Sequence, residues 1–246
     1  MPPSQRRQYA PKSVNLTVDG QAVELSLRRS SRARRYTLRL VATGEFILTV
    51  PAGGSVEKAV GFAEANIGWI RARLARLPRS VPFEEGAFVP LRGVSHEIRH
   101  ADTRRGSIQV ITAQGEGFPV IKVPGGREFV ARRLTDWLRR EARRDLEEAV
   151  RRHTAALGVR ARRVTVRDQV SRWGSCSASG GLSFSWRLVL APPFVLDYLA
   201  AHEVAHLVEM NHGPRFWRLV HELCPKTDAA EAWLRRHGPA LHSYGR

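Results

Sequence analysis

Cysteine is nearly missing from this chain: Cys176 and Cys224 are the two in 246 residues. Two cysteines exclude a disulfide framework and a Cys-rich zinc ribbon, and they point to a reducing, cytoplasmic setting. Lysine is scarce as well. Only Lys12, Lys58, Lys122 and Lys226 share the 40 basic positions with arginine. Long apolar runs are missing: the longest, Leu188 to Leu196, is interrupted by Pro192-Pro193. That is far short of the roughly 20 residues a membrane helix needs, so no membrane partner is expected. The opening MPPSQRRQYAPKS lacks the apolar core of a secretory signal. No internal repeat or low-complexity linker is legible.

What is present is positive charge, 40 Lys and Arg against 23 Asp and Glu, for a net +17. Such a balance attracts nucleic acid, anionic lipid or phosphate-bearing substrates. No stacking-aromatic signature of an RNA-binding sheet accompanies it, and no Cys/His finger spacing. The arginines therefore read as solvated faces, with nucleic acid or a nucleotide left open as a partner. At 43% hydrophobic, the chain can bury a real core.

The pattern predicts an α+β protein in two parts, divided at the Gly125-Gly126 break: a β-rich region over 1–125 and a helical region over 126–246. Val14-Leu16-Val18 and Val23-Leu25-Leu27 alternate as strands around an Asp19-Gly20 hairpin turn. Tyr36-Leu38-Leu40 and Phe46-Leu48-Val50 do so around Thr43-Gly44. Ser55 opens one helix that Leu77-Pro78 ends. Short strands are expected at 94–99, 108–111 and 120–123. A long amphipathic helix spans about Arg127 to Ala156, with arginines filling its outer face and Gly158 as its cap. His153 on its apolar stripe reads as a core histidine. Strands at 163–167 and 182–190 follow, then a helix opened by Pro192-Pro193.

Within that helix lies His202-Glu203-Val204-Ala205-His206. Residues four apart stack on one helix face, about 6 Å along the axis, so both imidazoles can meet one tetrahedral zinc. Glu203, about 100° round the helix, reaches the attacking water rather than the metal, as a general base for metal-assisted hydrolysis. The flanking Val195, Leu196, Leu199, Ala200, Val204 and Leu207 mark a buried helix. Two histidines and a glutamate are costly there unless satisfied. A catalytic zinc needs a third protein ligand and an open position. His212 is the favoured third ligand, ahead of the new helix that Gly213-Pro214 starts; Glu209 is its rival. The spacing of His202, His206 and His212 matches that of metzincin proteases, but their turn glycine is missing.

Ser171-Arg172-Trp173-Gly174-Ser175-Cys176-Ser177 precedes the strand at 182–188, expected to be the sheet edge on which an extended peptide pairs. Arg172, Trp173, Trp186 and Arg187 are its weak substrate-contact candidates. Cys176 is a poor nucleophile candidate because no His or Asp partner is marked by spacing.

Taken together, R-W-G-S-C-S (172–177), W-R-L-V-L-A-P-P (186–193), L-D-Y (196–198), H-E-V-A-H (202–206) and M-N-H-G-P-R-F-W (210–217) resemble the bacterial YgjP-like metallopeptidase family, distantly related to the SprT-like proteases. The resemblance implies a zincin-like catalytic domain with a small antiparallel sheet, preceded by the β-rich region with one helix. It implies zinc held by His202, His206 and His212, with Glu203 as acid/base. One departure is Ser185, where the family resemblance leads one to expect Asn. The leading expectation is a zinc-dependent peptidase acting on a peptide or protein. The alternatives are a nucleoside triphosphate or phosphoanhydride hydrolase, and a nucleic-acid-binding module with a structural zinc. Oligomeric state is not legible.

Overall fold

Asp19 (φ 50°) and Gly20 (φ 80°) turn the chain between β1 (Ser13–Val18) and β2 (Gln21–Ser30). This hairpin stands in a computed structural model that describes residues 12–41, 44–77, 79–103, 106–113, 115 and 117–245. Two positive φ values in a row are what a two-residue hairpin turn requires, and Val18 pairs with Gln21 across it. β4 (Phe46–Pro51) runs parallel to β2, and β3 (Thr37–Leu40) antiparallel to β4, giving the order β1-β2-β4-β3. α1 (Val56–Ala65) starts where Ser55 Oγ accepts the Lys58 N–H at 3.2 Å. The single helix expected from Ser55 is two, because Asn66 donates its side-chain amide to the Phe62 carbonyl at 2.7 Å and α2 (Ile67–Leu74) restarts beyond it. Leu25, Phe46, Leu48, Ala59, Ala63 and Ile70 form the heart of this unit's core. Thr43 and Pro78, on which an expected turn and helix stop fall, lie outside the described residues.

The same topology then recurs. β5 (Phe88–Leu91) and β6 (Val94–Ala101) are joined by Arg92 (φ 51°) and Gly93 (φ 81°). β8 (Val120–Pro124) lies parallel to β6, and β7 (Gln109–Ile111) antiparallel to β8, in the order β5-β6-β8-β7. Both parallel strands end in Val-Pro and are followed by a Gly-Gly pair (53–54 and 125–126). In each copy the turn residue is tied to a following helix. Asp19 pairs with Arg71 of α2 at 2.7 Å, and Arg92 with Glu141 and Asp145 of α3 (Val130–Leu157) at 2.8 Å each.

The chain divides into two compact units, Met1–Leu77 and Pro78–Arg246. The boundary expected at Gly125-Gly126 is therefore corrected. That break lies inside the second unit, where Val89, Ile98, Ile121 and Val123 share one core with Leu134, Leu138 and Leu146 of α3. The region before it holds two helices rather than one. α3 ends at Gly158 in the left-handed conformation (φ 65°), as its sequence predicts. His153 is buried on α3, 2.8 Å from Asp197 Oδ1.

β9 (Arg163–Arg167), β10 (Gly174–Cys176) and β11 (Gly181–Ser185) form a three-stranded sheet in the order β10-β11-β9. It is mixed, not antiparallel: β11 pairs antiparallel with β10 and parallel with β9. The expected strand over 182–190 stops at Ser185 and continues as a 3₁₀ turn, Trp186–Leu190. Ser185 Oγ accepts the Arg187 N–H there, and the Arg187 side chain turns inward. α4 (Pro193–Ala205), α5 (Pro214–Leu223) and α6 (Thr227–Leu241) complete the unit. No helix among the described residues is long and apolar enough to cross a membrane.

Candidate metal centre

α4 begins with Pro193 at its first turn, where a missing N–H costs nothing. It buries nine residues, among them Leu199, Ala200, Val204 and Ala205, so its polar residues are held rigidly. His202 and Glu203 occupy its last turn and His206 is its C-cap. The turn that follows returns His212 to the helix end, just before Gly213 caps α5. The donor atoms of His202, His206 and His212 all lie within 4.8 Å of one another. His202 Nε2 and His212 Nε2 are 3.2 Å apart. Zn–N bonds near 2.0–2.1 Å in a tetrahedron put nitrogens roughly 3.3 Å apart, so this pair fits such an ion.

The surroundings orient the rings. His206 Nδ1–H donates to the Glu209 carbonyl oxygen at 3.1 Å, a tautomer that leaves the Nε2 lone pair free to ligate. Glu209 therefore serves through its backbone, and its carboxylate is outside the convergent group. Tyr198, one turn before His202, places its hydroxyl 3.5 Å from His202 Nδ1 and donates to Glu231 Oε1 at 2.9 Å. Phe216, fully buried, underlies all three imidazoles: its ring centroid is 4.5 Å from His206, stacked at 28°, 4.7 Å from His212 and 4.9 Å from His202. Burial, with His206 and His212 adding to it, lowers the His202 pKa to about 4. His206 is lowered by burial too. Both rings are thus held neutral, the form that ligates.

Glu203 is 4% exposed. Burial pushes its carboxyl up to about 7, against the opposing pull of the Arg172 charge. Gly174 of β10 lies directly on it, and a Cβ there would collide with Glu203 Oε1. A cleft of about 330 Å³ opens beside His202 and Glu203, walled by Trp173, Gly174, Tyr198, Glu231, Leu234 and Arg235. Trp173 is braced by a 4.7 Å stack on His242.

The weak substrate-contact candidates separate. Trp173 is a wall of the cleft; Arg172 is exposed and outside the cleft lining, though its charge reaches Glu203. Trp186 and Arg187 are corrected: both are buried. Arg187 donates to Asp168 at 2.9 Å and to the carbonyls of Leu241 (3.0 Å) and Tyr244 (2.6 Å), which leaves it nothing for a substrate. The sheet edge is corrected too. β11 is the central strand, and β10 and β9 are the edges, β10 being the one against Glu203. Trp173–Ser185 and Ser177–Gly181 are the hydrogen-bonded pairs. Alternation therefore points the backbone groups of Gly174 and Cys176 away from β11. The Cys176 thiol is raised by burial, then by Glu203, and stays protonated, unlike an activated nucleophile.

Tyr198, Glu231, Phe216 and Gly174 went unassigned in the sequence. The spacing of Tyr198 four residues before His202 was the one available signal. The other three converge only through the fold.

A family model described as YgjP-like, metallopeptidase domain matches residues 34–237. No curated protein matches. A solved structure, the metallopeptidase zymogen of Pyrococcus abyssi abylysin, is 23% identical, with a TM-score of 0.34. That match covers 38% of this chain and 92% of that one, too slight a likeness to carry an argument.

Proposed function

The chain belongs to the YgjP-like metallopeptidase family, and from that premise we propose that it hydrolyses peptide bonds with zinc held by His202, His206 and His212. The convergence of these three donors beside one buried carboxylate carries the proposal. Bound there, zinc supplies Lewis-acid polarisation of the scissile carbonyl and of the attacking water. Glu203 accepts the proton of that water and delivers it to the leaving amine. A carboxyl near 7 is suited to both halves of that transfer. Trp173 and Leu234 shield one side of the cleft from water. The outward backbone groups of Gly174 and Cys176 offer an extended substrate a strand to pair with, beside the reacting centre.

Three nitrogen donors favour zinc over magnesium, which takes oxygen ligands. That counts against phosphoanhydride hydrolysis. No fourth protein ligand joins the group among the described residues, which suits a catalytic rather than a structural ion.

The test is Glu203→Gln. Metal content by elemental analysis is expected to stay at one zinc per chain, as in wild type, while peptide turnover falls by roughly a thousandfold. A variant that turns over at the wild-type rate removes Glu203 from the mechanism. Loss of zinc in wild-type protein and His202→Ala alike removes the metal centre.

A further inference from the structure

The three-stranded sheet has a second face that the metal centre does not use. Val164, Val166, Leu182 and Phe184 turn inward to the core. Period-two alternation turns Arg163, Thr165 and Arg167 of β9 the other way. The register sets Thr165 beside Ser183 and Ser183 beside Ser175, so a row of hydroxyls crosses the sheet. These residues, with Gln169 and Arg172, line a groove of about 680 Å³. Among the described residues no carboxylate lines it. Asp168, next in sequence to Arg167, is bound to Arg187. Among the described residues neither Arg163 nor Arg167 has a salt-bridge partner. Gln169 donates to Ser183 Oγ at 2.6 Å, fixing part of the floor.

We infer that this groove binds an acidic stretch of the polypeptide substrate, and so selects what reaches the metal centre. The inference deepens the peptidase function and rests on it. Arg163 and Arg167 stand four residues apart on one strand, roughly 13 Å. One carboxylate or phosphate cannot bridge them; two acidic side chains four residues apart on an extended peptide match that spacing. Guanidinium forks bind carboxylates with two hydrogen bonds each, and the hydroxyl row supplies donors and acceptors to a peptide backbone. The groove and the cleft are lined by adjacent residues of one segment: Trp173 and Gly174 line the cleft, Arg172 and Ser175 the groove. Ser175 and Cys176 line the groove and belong to the edge strand β10, and Arg172 lines it while its charge reaches Glu203. A substrate chain reaches the groove by crossing the sheet face beyond the part paired on β10. Nucleic acid is the less suited polyanion, because among the described residues no aromatic ring lines the groove to stack a base.

The experiment measures binding apart from cleavage. Full-length Glu203→Gln protein is titrated, by fluorescence anisotropy at low salt, with a labelled peptide carrying two Glu four residues apart. The same peptide with Gln at both positions and a labelled oligothymidylate are the controls. The Glu peptide is expected to bind roughly tenfold tighter than the Gln peptide. Arg163→Gln/Arg167→Gln, whose substitutions are exposed and which is checked for wild-type circular dichroism and zinc content, is expected to abolish that difference. Equal binding of the two peptides overturns the inference. So does tighter binding of oligothymidylate that is lost in the same double variant, which makes the groove a nucleic-acid site. Cleavage of both peptides by the unmutated, zinc-loaded protein is then compared. Equal cleavage with equal binding removes the groove and keeps the peptidase; selective binding with no cleavage of either does the reverse.

Discussion

Gly174 shows how one residue without a side chain sets the chemistry of another. The Glu203 carboxylate fills the space that a Cβ at residue 174 would need. The contact excludes water from the carboxylate, and that burial is what raises its pKa. Gly174→Ala is expected to displace the Glu203 carboxylate while leaving the three histidines in place. Turnover then falls roughly a hundredfold, as for a small misplacement of a reacting group, with zinc content unchanged. Steady-state kinetics beside elemental analysis checks it, and an unimpaired kcat would mean the carboxylate tolerates the push. His153 marks the opposite case. It shares the helical spacing and burial of a ligand, yet its imidazole is 2.8 Å from Asp197 and outside the metal group.

At the scale of elements, the 3₁₀ turn Trp186–Leu190 is pinned to the C-terminal helix by one buried cation. Arg187 is 3% exposed and binds Asp168, the Leu241 carbonyl at the end of α6 and the Tyr244 carbonyl beyond it. Arg187→Met keeps the bulk but strands two carbonyls and a half-buried carboxylate. The cost is expected to be about 3 kcal/mol, toward the low end for a buried pair because Asp168 is 38% exposed. Urea denaturation measures it. Burial by itself would raise the Asp168 pKa, but the hydrogen bond and charge of Arg187 outweigh it and hold the folded value below the usual carboxylate range. Its contribution is therefore present above that range and is lost as pH falls through it and below. Asp168→Asn is expected to be less stable than wild type at neutral pH, with the gap closing on acidification. A gap that widens in acid would contradict the assignment.

For the whole molecule, the recurrence of one topology is the main finding. Two sheets share strand order, strand directions, a two-residue left-handed turn and a turn-to-helix ion pair. The first copy closes on its own small core; the second merges with α3 and the metal-binding helices. The two cores are separate, so the units are expected to unfold in separate transitions. The three histidines proposed to hold zinc all lie in the second unit. In calorimetry, excess zinc is expected to raise only the larger transition, by about 4 kcal/mol at a thousandfold excess over Kd. A single transition moving as one would show that the two units unfold cooperatively.

The sequence by itself determined what short-range physics encodes. Asp19-Gly20 and Gly158 dictate backbone angles, the apolar stripe of α3 dictates a buried face, and four-residue spacing on a buried helix brings His202 and His206 together. The return of His212 was legible from Gly213-Pro214. Tertiary structure decided everything that depends on residues distant in the chain. It ended the strand at Ser185, because Arg187 finds Asp168 and α6. It made β11 central and β10 an edge, because β9 pairs with β11 from the other side. It set the unit boundary at Leu77, because β5–β8 share the core of α3. The repeat stayed hidden because only turn and cap positions need particular residues; the core positions between them need only apolar volume, which many sequences supply.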